Sequence, residues 1–390
     1  MSFLVLKNSR ILISVILLIA FISGFSSTTS IYALENTQDM SFECESAILM
    51  EAKTGTVLYS YNPNKPLPPA SVTKIMTLLL IMEAIESEDL KYSDTITASS
   101  YAASMGGSQI FLKEGEQMSA EDLIKSVVIA SANDAAVALA EHLCGSEDAF
   151  VKKMNERALE LGMINTNFEN TNGLDDSTTN HVTSAMDIAI MSRELIKHKD
   201  ILKFSSTWMD TIRNGSFGLT NTNRLVRFYT GATGLKTGST DKAKFCVSAT
   251  AERNGMHLIC VIMGAPTSSV RNSIATQLLN WGFANYELFE SNAPDFHPLR
   301  TLGGVENLCY ITSENFYAVV PKGQAKNIES KINLPKDIQA PISKNQVIGN
   351  IEYLSNGKAL GTSPIYATTT IPKIDFATLL LRVFSKFVLK

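Results

Sequence analysis

Residues 67–77 read Leu-Pro-Pro-Ala-Ser-Val-Thr-Lys-Ile-Met-Thr, and the chain continues Leu78-Leu79-Leu80-Ile81-Met82. Pro68 and Pro69 stiffen the entry. From Val72 to about Ile85 the spacing predicts a helix that is apolar on nearly every side, which is the pattern of a helix buried in a core. Capping would explain a serine at the head of such a helix, but it does not explain Lys74. A cation in the first turn opposes the helix dipole, and this one is surrounded by apolar residues. Residues three apart share a helix face, so the Lys74 amine can reach the Ser71 hydroxyl. Serine becomes a nucleophile when a neighbouring base takes its proton. Lysine can be that base where burial and a second cation lower its pKa. Ser71 and Lys74 are therefore a candidate nucleophile and general base.

Two further motifs give this pair a context. Ser131-Ala132-Asn133 falls in the break between a helix predicted over Ala120 to Ala130 and another running from just after Asn133 to about His142. Lys236-Thr237-Gly238 lies on a predicted strand. Lys236 would be the second cation and would also attract an anionic group of a substrate. Each motif alone is weak, because Ser239 to Lys242, Ser355 to Lys358, Ser313 to Asn315 and Lys53 to Gly55 repeat the same patterns. These repeats fail on context: a hairpin turn ahead of the nucleophile, a loop after the strand, and short strands late in the chain.

Outward from the motifs, Ser46 to Glu51 and Thr56 to Tyr61 read as strands around a turn at Lys53-Thr54-Gly55. Helical patterns cover Phe150 to Leu161 and Thr183 to Lys197. Gly231 to Gly238 reads as a strand, and Lys244 to Glu252 and Met256 to Met263 flank Asn254-Gly255, a strong hairpin signal. Ser273 to Phe289 reads as a helix. Strands, then helices, then strands and a helix predict an α+β fold with an antiparallel sheet and segregated helices. After Asn292 short alternating runs separated by Gly, Pro, Asn and Lys predict a small all-β domain over 293–370. In 371–390, Asp375, Thr378, Arg382, Ser385 and Lys386 form a polar stripe on an otherwise apolar helix, a design suited to a membrane interface. Packing of this helix on the β domain is the competing reading.

At the other end, Lys7 and Arg10 precede an apolar run from Ile11 to Phe25, then polar residues and Ile31-Tyr32-Ala33. This reads as a signal peptide over 1–33, shorter than a spanning helix. The main domain is then expected over 34–292, and the protein is expected to be exported, with the body of the chain working outside the cytoplasm. A net charge of −4 and the absence of a basic block with aromatics set aside nucleic-acid binding. Five cysteines, Cys44, Cys144, Cys246, Cys260 and Cys309, form no CxxC motif and no disulfide framework. The five histidines make no zinc pattern, and no metal or cofactor is expected. His181, in the polar loop 170–183, is a candidate neighbour of the site. There is no Gly-x-Ser-x-Gly elbow.

With these motifs in order, the chain resembles the low-molecular-mass penicillin-binding proteins, the serine-type D-alanyl-D-alanine carboxypeptidases. The resemblance rests on Leu67 to Thr77, Ser131 to Asn133 and Thr233 to Gly238 and covers the chain beyond the signal segment. It looks most similar to the enzymes of spore-forming Gram-positive bacteria. The resemblance implies a transpeptidase/β-lactamase-like domain, a small β domain and a C-terminal amphipathic anchor. It further implies that Ser71 attacks the bond between the terminal D-alanines of a peptidoglycan stem peptide, with Lys74 as base and Ser131 relaying a proton. Asn133 would hold the substrate amide, and Lys236 and Thr237, followed by Gly238, the terminal carboxylate. The N–H groups of Ser71 and Ser239 would form the oxyanion hole, and β-lactams would acylate the same serine. Two alternatives differ in outcome. A β-lactamase would deacylate rapidly, yet the Glu-x-x-Leu-Asn signature is absent between Ser131 and Lys236. A silent wall-binding or β-lactam-sensing protein would not need the intact Ser71, Lys74, Ser131 and Lys236.

Overall fold

The computed structural model describes residues 40–388 apart from Ser177; the signal segment expected over 1–33 lies outside the described residues. Five strands form an antiparallel sheet in the order Val57–Tyr61, Ser46–Glu51, Met256–Ala265, Lys244–Arg253, Ala232–Thr240. The expected hairpin closes at Asn254-Gly255. Arg253 pairs with Met256, and both turn residues have positive φ (51° and 76°), as a type I′ turn requires. Both faces of the sheet are covered, so its central strands are buried throughout. Ile48, Met50, Ile259, Val261 and Met263 alternate toward the helical core, while Leu49 and Leu258 point to the other face, where Gly282 of the helix Ser268–Asn285 packs against them.

The helical side is built around Lys74–Glu86, buried continuously from Lys74 to Leu79. Its start differs from the predicted helix over 72–85. Ala70–Thr73 is a 3₁₀ turn, and Lys74 is the first α-helical residue. Ser71 thus lies inside the turn and caps nothing. The physical reason is Ala70, whose φ of 50° bends the chain after the two prolines. The segment predicted as one helix over 120–130 is α-helical over Ala120–Lys125 and a π-turn over Ser126–Ala130. The helix expected over 273–289 starts at Ser268, capped by Thr267, and ends at Asn285. Tyr286–Ser291 is instead a strand, paired antiparallel with Phe316–Pro321.

Beyond it the short strands form small sheets around their own core, with Cys309, Ile338, Ile342, Ile351, Tyr353, Ile365 and Ile371 buried together. The Phe316 ring stacks on Tyr353 at 4.0 Å between centroids. The terminal helix Phe376–Val388 begins at Asp375, whose carboxylate accepts from the N–H and hydroxyl of Thr378. Arg382 donates to the carbonyls of Gly304 and Val305 and to Asn307 Oδ1. Phe376, Leu379, Leu380, Leu381, Val383 and Phe384 are all exposed. No helix among the described residues is long and apolar enough to cross a membrane.

Candidate active site

Three separate stretches meet at the edge of the main sheet. The 3₁₀ turn brings Ser71, and Lys74 follows on the same face with Nζ 2.9 Å from Ser71 Oγ. The left-handed residue Ser131 (φ 64°) closes the π-turn and lets Asn133 begin the next helix, Asn133–Cys144. Asn133 Oδ1 lies 2.6 Å from Lys74 Nζ, while its Nδ2 donates to the Gly106 carbonyl at 2.7 Å. The strand Ala232–Thr240 brings Lys236, whose Nζ is 2.7 Å from Ser131 Oγ. Thr237 Oγ1 donates to Thr222 Oγ1 at 2.8 Å. Gly238 passes directly over the turn: a Cβ there would stand 2.8 Å from Pro69 O and 2.9 Å from the nitrogens of Ser71 and Val72. Ser239 follows with its side chain exposed.

The environment of Lys74 decides what it can do. Nζ has three partners, Ser71 Oγ, Asn133 Oδ1 and the Asn172 carbonyl at 2.7 Å. The last two can only accept, so they take two N–H bonds. In the neutral amine the remaining direction, toward Ser71, holds the lone pair. Complete burial, and then the Lys236 charge, push the Lys74 pKa well below the ordinary lysine value. Asp134 opposes this; its carboxylate also accepts from the N–H groups of Ile110, Leu112 and Ala135. Burial, and then the buried Arg271, lower Lys236 to about 7. No carboxylate compensates Lys236 or Arg271 among the described residues.

The sequence motifs did not point to Asn172, Arg271 or Thr222. Asn172 acts through its backbone carbonyl, which has no side-chain signature, although Asn170-Thr171-Asn172-Gly173 does signal a loop. Arg271 is one ordinary-looking arginine in the helix after the sheet. His181 is buried beside the turn, 2.8 Å from Thr73 Oγ1. The five cysteines are free thiols.

An antiparallel sheet with a Ser-x-x-Lys turn beneath its Lys-Thr-Gly strand defines the class: serine enzymes of the penicillin-recognising kind. The family model for D-alanyl-D-alanine carboxypeptidase matches residues 33–267, and that for the penicillin-binding protein 5 C-terminal domain matches residues 300–373. The chain belongs to the D-alanyl-D-alanine carboxypeptidase family, and it is an enzyme of that activity in peptidoglycan maturation. It is 42% identical over 381 residues to the D-alanyl-D-alanine carboxypeptidase DacF of Bacillus subtilis, covering 96% of each chain. Among solved structures, penicillin-binding protein 5 of Haemophilus influenzae is similar with a TM-score of 0.77 at 31% identity, covering 87% of this chain and 100% of that one. The ampicillin-bound penicillin-binding protein D2 of Listeria monocytogenes matches at 31% identity and a TM-score of 0.58, covering 63% of this chain and 100% of that one.

Proposed function

We propose that this carboxypeptidase works through an acyl-enzyme on Ser71. Neutral Lys74 takes the hydroxyl proton as Oγ attacks the carbonyl carbon between the two terminal D-alanines. The tetrahedral oxyanion is received by the N–H groups of Ser71 and Ser239. As the C–N bond breaks, the proton passes by way of Ser131 to the departing D-alanine amine. Water then hydrolyses the ester with Lys74 again accepting a proton. Asn133 binds the substrate amide. Lys236 and Thr237, aided by Arg271, bind the terminal carboxylate, since two buried cations without a counter-ion attract an anion. The observation that carries this reading is the Lys74 amine, with two N–H bonds committed to acceptors and its third direction on Ser71 Oγ.

β-Lactams are proposed to acylate the same serine and to stay there. The test is D-alanine release from a peptide ending in D-Ala-D-Ala, together with mass spectrometry of the penicillin adduct. Wild type should release D-alanine and carry a long-lived adduct on the Ser71 peptide, and Ser71→Ala should do neither. Equal release from both proteins would end the Ser71 assignment, and penicillin turnover within seconds would favour a β-lactamase.

The chain is further proposed to be exported by residues 1–33 and to divide into a catalytic unit over 34–292 and a β unit over 293–370, with strand 286–291 as the crossover. The terminal helix is proposed to lie on the outer face of the cytoplasmic membrane. Its polar stripe is tethered through Arg382 while its apolar side chains face outward, which supports a membrane surface over packing on the β unit.

A further inference from the structure

The turn that carries Ser71 is braced from behind by groups the reaction does not consume. The Glu169 N–H donates to His181 Nδ1 at 2.9 Å, which fixes the imidazole proton on Nε2. Nε2–H then donates to Thr73 Oγ1 at 2.8 Å, and the Thr73 hydroxyl donates to the Ala70 carbonyl at 2.8 Å. Each link can run only this way round once the first is set. Thr73 is fully buried and His181 nearly so. Burial pushes the His181 pKa down to about 4, against the opposing pull of Glu169 and Asp175, so the neutral tautomer persists at neutral pH.

The end of this chain matters because of the peptide plane it grips. Ala70 is held at φ 50°, a left-handed conformation that a non-glycine residue keeps only with external support. The C=O and N–H of a trans peptide unit point in opposite directions within one plane. Fixing the Ala70 carbonyl therefore aims the N–H of Ser71. That nitrogen faces Gly238, where a Cβ would stand 2.9 Å away. The loop behind is equally close: a Cβ on Gly173 would fall 1.8 Å from the Ala70 oxygen.

We propose that His181 and Thr73 are positioning residues, which orient the Ala70–Ser71 peptide so that the Ser71 N–H points at the developing oxyanion. The inference rests on the acyl-enzyme reading above. It predicts a defect in the acyl-transfer steps, with substrate binding spared.

The test uses the full chain with Thr73→Val, Thr73→Ser, His181→Asn and His181→Gln. Serine keeps the hydroxyl that valine lacks. Glutamine can present an N–H where Nε2 stood, whereas asparagine reaches only the Nδ1 position. Complete loss of an oxyanion donor costs about 10²–10³-fold in kcat, so a misaimed one should cost roughly 10–100-fold. Thr73→Val and His181→Asn should show that loss in kcat with KM nearly unchanged, and Thr73→Ser and His181→Gln should recover most of it. An unimpaired Thr73→Val would overturn the proposal. So would serine and glutamine variants as slow as their partners, since that pattern marks simple packing. If the histidine variants do not fold, the Thr73 pair decides. Ser71→Ala is run alongside: its full activity would overturn the acyl-enzyme reading and this inference together. An inactive Ser71→Ala beside a normal Thr73→Val overturns this inference alone.

Discussion

Adding one methyl group at Gly238 tests the geometry of the site most directly. A Cβ at this position meets Pro69 O at 2.8 Å and the nitrogens of Ser71 and Val72 at 2.9 Å, where ordinary contact begins near 3.4 Å. All three obstacles are backbone atoms, so no side-chain rotation can relieve them. The strand must lift off the turn by about 0.5 Å, and overpacking of this kind costs roughly 1–3 kcal/mol of stability. The larger effect is on chemistry, because a shift near 0.5 Å is the limit of productive geometry and 1 Å can cost about 10²-fold. Gly238→Ala should therefore acylate with a fluorescent penicillin about 10–100-fold more slowly than wild type. Lys74 and Ser71 sit together on the turn side, so their mutual hydrogen bond should survive. Stopped-flow acylation rates, with thermal melts to verify folding, provide the measurement. A folded Gly238→Ala that acylates within twofold of wild type would refute the close apposition of strand and turn.

Three other outcomes follow from the site and the terminal helix. Lys74→Arg replaces the neutral amine with a permanent cation and so removes the base, because guanidinium does not deprotonate; D-alanine release should fall about 10²–10⁴-fold, and near-normal release would exclude Lys74 as the base. Lys236 binds its proton less readily when folded than when unfolded, its pKa falling from 10.5 to about 7. The unfolded state then holds more protons between these values, so this residue's contribution to stability rises with pH across that window. Lys236→Met should accordingly melt higher than wild type near pH 7, with the gap narrowing toward pH 10, and a gap that widens would contradict the burial of an uncompensated amine. Leu381→Asp with Phe384→Asp should strip the full chain from anionic vesicles in a sedimentation assay, since burying each such side chain contributes about 1.5–3 kcal/mol; unchanged sedimentation would refute the membrane-facing helix.

What could be read from the sequence was what depends on periodicity and short motifs. Strand Ser46–Glu51 has the bounds its apolar run predicts, and Asn254-Gly255 marks its hairpin because only a few residue types tolerate two positive φ values in succession. The α-helix begins at Lys74 rather than at the expected Val72 because a non-glycine residue, Ala70, takes a left-handed conformation that no propensity favours and a 3₁₀ turn follows it. The helix ending at Asn285 was overextended because Tyr286-Glu287-Leu288-Phe289 continues an apolar pattern, and only pairing with Phe316–Pro321 makes it a strand. The small two-stranded pairs Thr95–Thr97 with Gln117–Ser119 and Met209–Ile212 with Phe217–Thr220 are too short for a periodic signal. In the site, the side chains named by motif do meet. The parts that no motif names act through backbone, as Asn172 does, through charge, as Arg271 does, or through one isolated hydroxyl, as Thr222 does.

Burying Lys74, Lys236 and Arg271 together works against folding, because desolvation and mutual repulsion both disfavour the charged forms. Asp134, whose charge acts against this on Lys74, has its oxygens turned to the backbone N–H groups of Ile110 and Leu112 and so orders that loop. Repulsion from Lys236 then does two things at once. On the proposed mechanism it adds to burial in keeping Lys74 neutral enough to accept the Ser71 proton, and it leaves a positive potential suited to a substrate carboxylate. A substrate carboxylate that satisfies Lys236 and Arg271 would also weaken the repulsion on Lys74, raising its affinity for the proton as the serine gives it up. The proposed mechanism would thereby couple substrate recognition to base strength through a single deficit of negative charge.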